Sequence, residues 1–456
     1  MKHEKLSEAL SEISDKHITE AASAGKKRRP YWIGAVAAAL SLVILAVALM
    51  NPFAVRAEAV SVAHYPKYEW KYRQEIREEQ ALLTSFFGSS ITQILSGHDR
   101  ENQTYSPINL YMALSLTAEL TAGNSRQQIL ELLSADSAES LRAQANEIWN
   151  ACYRDDNDQT LLANSLWLDE SLNYHQSVMD TLADSYYTSV YRGKLGSSQT
   201  NRAIQTWLNQ QTGGLLKKEV QNAGADPEMF TVLMLYSTVY YQAKWQESVE
   251  FSAGNNTAGK FRTPGGDITC AFMNKKEMQT YYHWGEDYGA ISLGLNDGSQ
   301  MWLILPDEDK TVDNVLSSGE YLRQVLAIPA SEESEPTSKY MKVNLSLPKF
   351  DITAQNDLKA DMQALGITDI FDAGAADFSA SVDGDYPVWL AGMNQATRVA
   401  IDEKGVTAAS YIELPGAGSA QPPEEIIDFI LDRPFLFVIT NRYHLPLFAG
   451  VVNQPE

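Results

Sequence analysis

The 456-residue sequence predicts an α+β fold preceded by one transmembrane helix, and three observations predict it. Helical spacing dominates the early part of the chain body. Strand-like apolar runs dominate the late part. A single uncharged apolar span stands near the start. Helices gathered before strands mark an α+β layout, whereas an α/β chain alternates the two.

The apolar span comes first in order. No charged residue occurs from Pro30 to Val55, and Trp32–Met50 is almost wholly Ala, Val, Leu and Ile. Those nineteen residues, at about 1.5 Å each, approach the roughly 30 Å hydrocarbon thickness of a bilayer. Tyr31, Trp32 and Phe53 stand where interfacial aromatics do. Lys26-Lys27-Arg28-Arg29 precede the span, so the positive-inside rule keeps that end in the cytoplasm. The expected order is a cytoplasmic tail over 1–30, a signal anchor over 31–53 and a stalk over 54–78. The body, 79–456, is then extracellular on a single-pass protein of the cell membrane. A cleaved signal peptide, cut near Ala57-Glu58-Ala59, is the alternative. The length of the span and of the tail before it favours an uncleaved anchor. In the tail, Leu6, Leu10, Ile13 and Ile18 have loose helical spacing. The Ala-rich span and the lack of eukaryotic sorting features lean toward a bacterial envelope.

The body shows no internal repeat. Helical spacing marks 81–95, 110–120, 126–133, 141–151, 178–187 and 200–211. Strand signals mark 229–241, 301–306, 341–352, 435–440 and 447–452.

Charge and composition exclude several function classes. Net charge is −22. Residues 1–30 carry seven Lys/Arg against five Asp/Glu, so the remainder carries −24. Such an acidic body argues against nucleic acid or an anionic lipid surface as partner. Cys152 and Cys270 are the two cysteines, too few for a disulfide framework, and read as buried free thiols. The seven His are scattered with no HExxH, so neither a metal nor a cofactor is expected. Ser, His and Asp are present without a G-x-S-x-G elbow, which argues against a hydrolase.

One segment reads as both loop and strand. From Val406 the chain alternates, with Val406, Ala408, Ser410 and Ile412 on one face. Thr407, Ala409, Tyr411 and Glu413 fall on the other. Pro and Gly punctuation follows from Leu414 to Ser419. A segment able to be either is what a conformational switch needs.

Six blocks, in order, carry a resemblance. They are Asn102–Asn109 with Ala113-Leu114; Tyr240-Tyr241-Gln242-Ala243-Lys244-Trp245; and Leu347-Pro348-Lys349-Phe350. Then come Leu365–Phe371 with Ala376–Ser379; Ala400–Gly405; and Asp432–Phe437 with Pro446–Gly450. Together they resemble the serpins, the serine protease inhibitor fold, over essentially all of 79–456. The resemblance implies three β-sheets, about eight to nine helices and no net catalysis. It implies a reactive-centre loop over about 403–431 that serves as bait. A target serine protease attacks the loop and is held as a covalent acyl complex while the loop inserts as a new strand of the main sheet. A monomer is implied.

The hinge implied by the resemblance is Glu403, Gly405, Val406, Thr407, Ala408, Ala409 and Ser410. Insertion demands small or apolar residues on the face that becomes buried, because a lone charge there costs several kcal/mol. The 406–412 face satisfies this, although the family usually has Thr or Ser where Val406 stands and Glu where Thr407 stands. Tyr411 is bulkier than the usual residue and should face outward. Counting sixteen residues from Glu403 gives the bond Ser419-Ala420, suited to elastase- or subtilisin-like pockets. Lys and Arg are absent from Gly405 to Leu431, against a trypsin-like target. The loop is about four residues longer than a typical member's. Ala417-Gly418 competes, and Leu414-Pro415 is a poor alternative. Beneath the insertion point the resemblance places Ser106 and Asn109. Where the family pairs an Asn with a His, Ser237 and Asn394 stand, which reads as a rewired hydrogen-bond pair. Trp245 is expected at the top of the opening. A non-inhibitory serpin, a surface binding or structural module, is the alternative function.

Overall fold

The computed structural model describes residues 57–66, 76–98, 100–155, 158–212, 233–327, 337–383, 387–390, 392–406 and 423–455. The expected tail and anchor, 1–53, lie outside the described residues. No described helix is long and apolar enough to cross a membrane.

The helix Pro107–Leu120 is apolar all round and buried along its whole length, so it is a core element and not a surface one. Pro107 opens it and Ser106 caps it, its hydroxyl accepting from Asn109 N. The hydroxyls of Ser115, Thr117 and Thr121 donate back to carbonyls four residues earlier. Its one charge, Glu119, is 6% exposed and accepts from Arg142 Nε and Nη2 and from Tyr186 Oη at 2.7–3.0 Å. A buried carboxylate needs such partners. All six helices expected from periodicity are present, with N-terminal boundaries two to five residues earlier and C-terminal boundaries within two. Among the described residues there are nine α-helices.

The strands form three sheets. The main sheet runs β1 (Glu58–Ser61), β6 (Thr188–Gly193), β4 (Gln159–Asp169), β7 (Leu233–Lys244), β16 (Gly405–Val406), β15 (Asn394–Asp402) and β13 (Phe350–Asp357), with β3 (Arg154–Asp155) beside β4. The second runs β17 (Ile426–Ile430), β12 (Ser338–Pro348), β9 (Gly266–Trp284), β10 (Tyr288–Gly294), β11 (Gln300–Pro306), β18 (Phe435–Thr440), β19 (Pro446–Val452) and β2 (Gln103–Tyr105), with β8 (Thr257–Thr263) on β9. A third pairs β5 (Asn173–Tyr174) with β14 (Val382–Asp383). Strand content outruns the sequence reading. β4, β6, β8, β9 and β10 were not marked by alternation; for β4 and β10 the reason is burial on both faces, which erases it. Nine of the eleven residues of β4 are buried.

Two differences position the site. The single strand expected over 341–352 is two strands in two sheets, β12 and β13, broken at Lys349. Lys349 N donates to Ala271 O as the chain leaves one sheet for the other. The stalk expected over 54–78 is in part domain. Glu58–Ser61 pair antiparallel with β6 at the edge of the main sheet. Ala63 N donates to Ser189 Oγ, and the Tyr65 ring stacks on Trp149 and Tyr153, both at 5.8 Å. The charged neighbours made this stretch read as a linker, but Val60 and Tyr65 find apolar partners in the body. A signal-peptide cut within Ala57–Ala59 would fall at β1 itself. Cys152 and Cys270 are buried and free.

Tyr65→Ala is expected to lower stability by about 2 kcal/mol through lost stacking and burial, with Tyr65→Phe nearly neutral. Urea unfolding midpoints of the two variants check it.

Candidate functional site: the hinge and the seam beneath it

β7 and β15 run parallel, and among the described residues β16 is the strand that pairs with both. That two-residue strand, Gly405–Val406, is the start of the loop already seated in the main sheet. Its register sets Gly405 between Asp402 and Lys244, and Val406 between Ile401 and Ala243. Val406 is 2% exposed, on the inward parity expected for it. Thr407, Ala408, Ala409, Ser410, Ser419 and Ala420 lie outside the described residues.

Gly405 is required by geometry. Its φ is +152°, and a Cβ there would stand 2.2 Å from Ala243 O and 2.7 Å from Lys244 Cα. Any other side chain would push β16 off β7.

The turn leading into β16 is clamped. Three successive carbonyls each accept a hydrogen bond. Trp245 Nε1 donates to Asp402 O at 2.8 Å, Phe251 N to Glu403 O at 3.4 Å and Trp245 N to Lys404 O at 3.1 Å. The Asp402 carboxylate turns back to accept from Lys404 N at 2.7 Å. Trp245 is 3% exposed and packs edge-on against Phe251. Its indole N–H holds the turn while its ring fills core.

The Glu403 carboxylate accepts from Lys349 Nζ and Asn256 Nδ2, both at 2.5 Å. The Lys349 ammonium holds its carboxyl below the ordinary glutamate range, against the opposing effect of burial, with Asn256 adding to the depression. Lys349 reaches Glu403 because the β12–β13 break delivers it there.

Below the hinge, the N-terminus of Pro107–Leu120 spans the seam. On the β7 side, Asn109 Nδ2 donates to Ser237 O at 3.0 Å. The Ser237 hydroxyl faces the side-chain carbonyls of Asn109 and Asn164. On the β15 side, Ser106 N donates to Gln395 Oε1 at 2.7 Å and Gln395 Nε2 donates to Ser106 O at 3.1 Å. Ser106 Oγ donates to Leu447 O. One helix end is thus tied to both strands that flank β16.

The rewired pair expected between Ser237 and Asn394 is not formed among the described residues. Ser237 turns to Asn109 and Asn164, and Asn394 is exposed. Gln395 is the buried partner. Strand parity is the reason, and it could have found the residue. Val399 and Ile401 point inward, so Gln395 and Thr397 share their face and Asn394 does not. Asn164 and Asn256 gave no signal in the sequence. They meet their partners only through long-range folding.

Two outcomes follow. Gln395→Ala strands the buried Ser106 N, while Ser106 O keeps its bond from Leu110 N, and is expected to cost about 1–3 kcal/mol, whereas Asn394→Ala stays within about 0.5 kcal/mol; chemical denaturation distinguishes them. Glu403 has a depressed carboxyl in the folded state, so its contribution is present above the ordinary glutamate range, about pH 4.3. It is lost as pH falls through the lower folded value. The melting temperature of Glu403→Gln, followed from pH 7 to acid, should lack the acid-side component that the parent shows.

Residues 83–455 match the family model described as Serpin (serine protease inhibitor). Serpin-ZX of Arabidopsis thaliana is 25% identical over 374 residues, covering 78% of this chain and 92% of its own. Plasminogen activator inhibitor 1 of Bos taurus is 25% identical over 389 residues, covering 82% and 92%. Among solved structures, the native state of the thermophilic serpin tengpin aligns with a TM-score of 0.72 at 22% identity, over 86% of this chain and 97% of that one. Thyroxine-binding globulin in complex with thyroxine aligns at 0.68 and 19% identity, over 82% and 99%. Likeness at that identity carries the fold alone. The family match covers most of the chain and the whole of the hinge and seam, and the chain belongs to the serpin family.

Proposed function

We propose that this serpin inhibits extracellular serine proteases as a suicide substrate, by inserting its cleaved loop into the main sheet. The observation that carries the reading is β16. Its two residues occupy the top of the gap between β7 and β15, with Val406 buried and uncharged. A strand already begun at that position can lengthen by adding residues 407 onward, each gaining backbone partners on both sides. The 406–412 face carries no charge to oppose this. A non-inhibitory module is the lesser reading, since its usual mark is a bulky or charged inward residue in the hinge.

The proposed bait bond is Ser419-Ala420, and the small residue before the cut suits elastase- or subtilisin-like proteases. The molecule performs no net catalysis, takes no cofactor and acts as a monomer. We place it on the cell membrane, single-pass, with 31–53 as anchor and the serpin domain outside. The Ala-rich span suits a bacterial envelope.

Mixing the protein with elastase-type and subtilisin-type proteases is expected to yield a covalent complex that survives SDS. The released C-terminal peptide should begin at Ala420 by mass. Loop cleavage with continued protease turnover would refute the inhibitory reading.

A further inference from the structure

The third sheet carries a histidine with an acceptor at each ring nitrogen. β5 and β14 pair Tyr174 with Val382 and Asn173 with Asp383, and His175 follows directly. Its backbone N donates to Ser381 O at 2.8 Å. Its Nδ1 stands 2.8 Å from Ala380 O, and its Nε2 stands 2.8 Å from Asp383 Oδ1. A carbonyl and a carboxylate can only accept. A neutral imidazole donates from one nitrogen, so only the imidazolium makes both bonds. His175 also stands at the N-cap of the helix Gln176–Ser185, without capping it through its side chain. A cation there opposes the helix dipole, so the helix gives no reason for the charge. The two acceptors on the facing segment do.

These bonds join two parts of the molecule that the seam divides. β5 begins four residues after β4 ends, and the helix Gln176–Ser185 leads into β6 three residues on. Both strands lie on the β7 side of the main sheet. Residues 377–383 are fixed instead to the C-terminal end of the buried helix Pro107–Leu120. Ser381 Oγ donates to Leu120 O at 2.7 Å, Ala122 N to Asp377 O at 2.9 Å and Asp377 N to Ser125 Oγ at 3.0 Å. Eleven residues after Asp383 the chain enters β15, on the other side of β16. β4 ends and β15 begins at the end of the sheet remote from the hinge, since Gly405 lies between Asp402 and Lys244 while Leu168 pairs with Leu233.

Among the described residues, Asp383 is the charged group that meets the ring. Other charges of the packed elements are engaged elsewhere. Asp180 accepts from Ser61 Oγ and Gln176 Nε2, Arg192 donates to Glu170 O and Leu172 O, and Asp377 accepts from Ser379. Beyond the far end of the same helix, Tyr186 Oη donates to Glu119, and burial pushes that phenol up, out of the histidine range. The Asp383 carboxylate, and then the Ala380 carbonyl, hold the proton on His175 against slight burial. The two side chains are 34% and 70% exposed, so the pair answers to bulk pH.

We propose that His175 is a pH-operated latch at the foot of the main sheet. Protonated, it ties the β4–β6 crossover to the segment that leads into β15. Neutral, it gives up one of its two ring bonds and lets the two sides part, which favours insertion of the loop. The inference rests on the inhibitory reading of that loop. The backbone bond to Ser381 and the β5–β14 pairing survive in both states, so the effect is graded. The folded state holds the proton more tightly than the unfolded chain. The tie is therefore fully present below the ordinary histidine value, about pH 6.5, and is lost as pH rises through the raised folded value.

A synthetic peptide with the sequence of residues 407–418 reports widening of the seam without any protease. Relative to His175→Gln, the full chain is expected to take it up roughly two to five times faster at about pH 9 than at about pH 5.5, the size of an exposed ion pair. Asp383→Asn should move the midpoint of that change to lower pH. A parent-to-variant ratio that stays constant with pH overturns the latch, as does a midpoint that Asp383→Asn leaves in place. Should either result accompany covalent complexes that survive SDS, inhibition stands and only the latch is removed. If neither protein takes up the peptide at any pH, the insertion reading fails and melting temperatures decide the latch by themselves. The parent must then lose stability relative to His175→Gln as pH rises, and parallel melting overturns the latch.

Discussion

The structure depends on how the turn Asp402–Lys404 is held where β16 begins. β7 and β15 are parallel, and among the described residues two residues of β16 stand between them. The backbone polar groups of the turn call for partners, and the clamp supplies them locally. Trp245 and Phe251 take up three consecutive carbonyls, and Lys349 and Asn256 take up the Glu403 carboxylate. A half-buried ion pair of this type adds little net stability, but loss of either partner leaves the other charge unpaired. Its value here is positional: it sets where the loop leaves the sheet.

The second constraint lies underneath. A helix as fully buried as Pro107–Leu120 cannot shift without disturbing the core, so its N-terminus is a rigid platform. From it, Asn109 grips β7 and Ser106 grips β15 through Gln395. Widening of the seam by a new strand must trade these bonds for others. The hinge above and the platform below therefore govern one coordinate, the separation of β7 and β15. The edge strand β1 with Tyr65 belongs to the same sheet on its far side and ties residues ahead of the first helix into it.

Legibility varied by kind of feature. Five of the six helices could be read because a half-buried helix keeps a 3.6-residue period; Pro107–Leu120, buried all round, is a mostly apolar run. Strands such as β4 could not, because burial on both faces erases alternation. The stalk reading failed at Tyr65 for a related reason: a polar-looking segment with one aromatic anchor does not announce its pocket. At the hinge, the motif Asp402–Gly405 pointed to the right place, and the parity of Val406 agreed with its burial. At the seam the sequence led one residue astray, to Asn394 in place of Gln395, although the apolar Val399 and Ile401 already carried the parity that identifies the inward residue.

By itself the sequence determined the family, the α+β order of elements and the inward parity of Val406. These are properties of local pattern and ordered motifs. Tertiary structure alone decided that Lys349 meets Glu403, that Asn256 and Asn164 join the site, and that Gly405 lies against Ala243. These contacts join residues 54 to 162 positions apart. Which groups share them is set by strand register and by the chain break at Lys349, neither of which leaves a periodic trace.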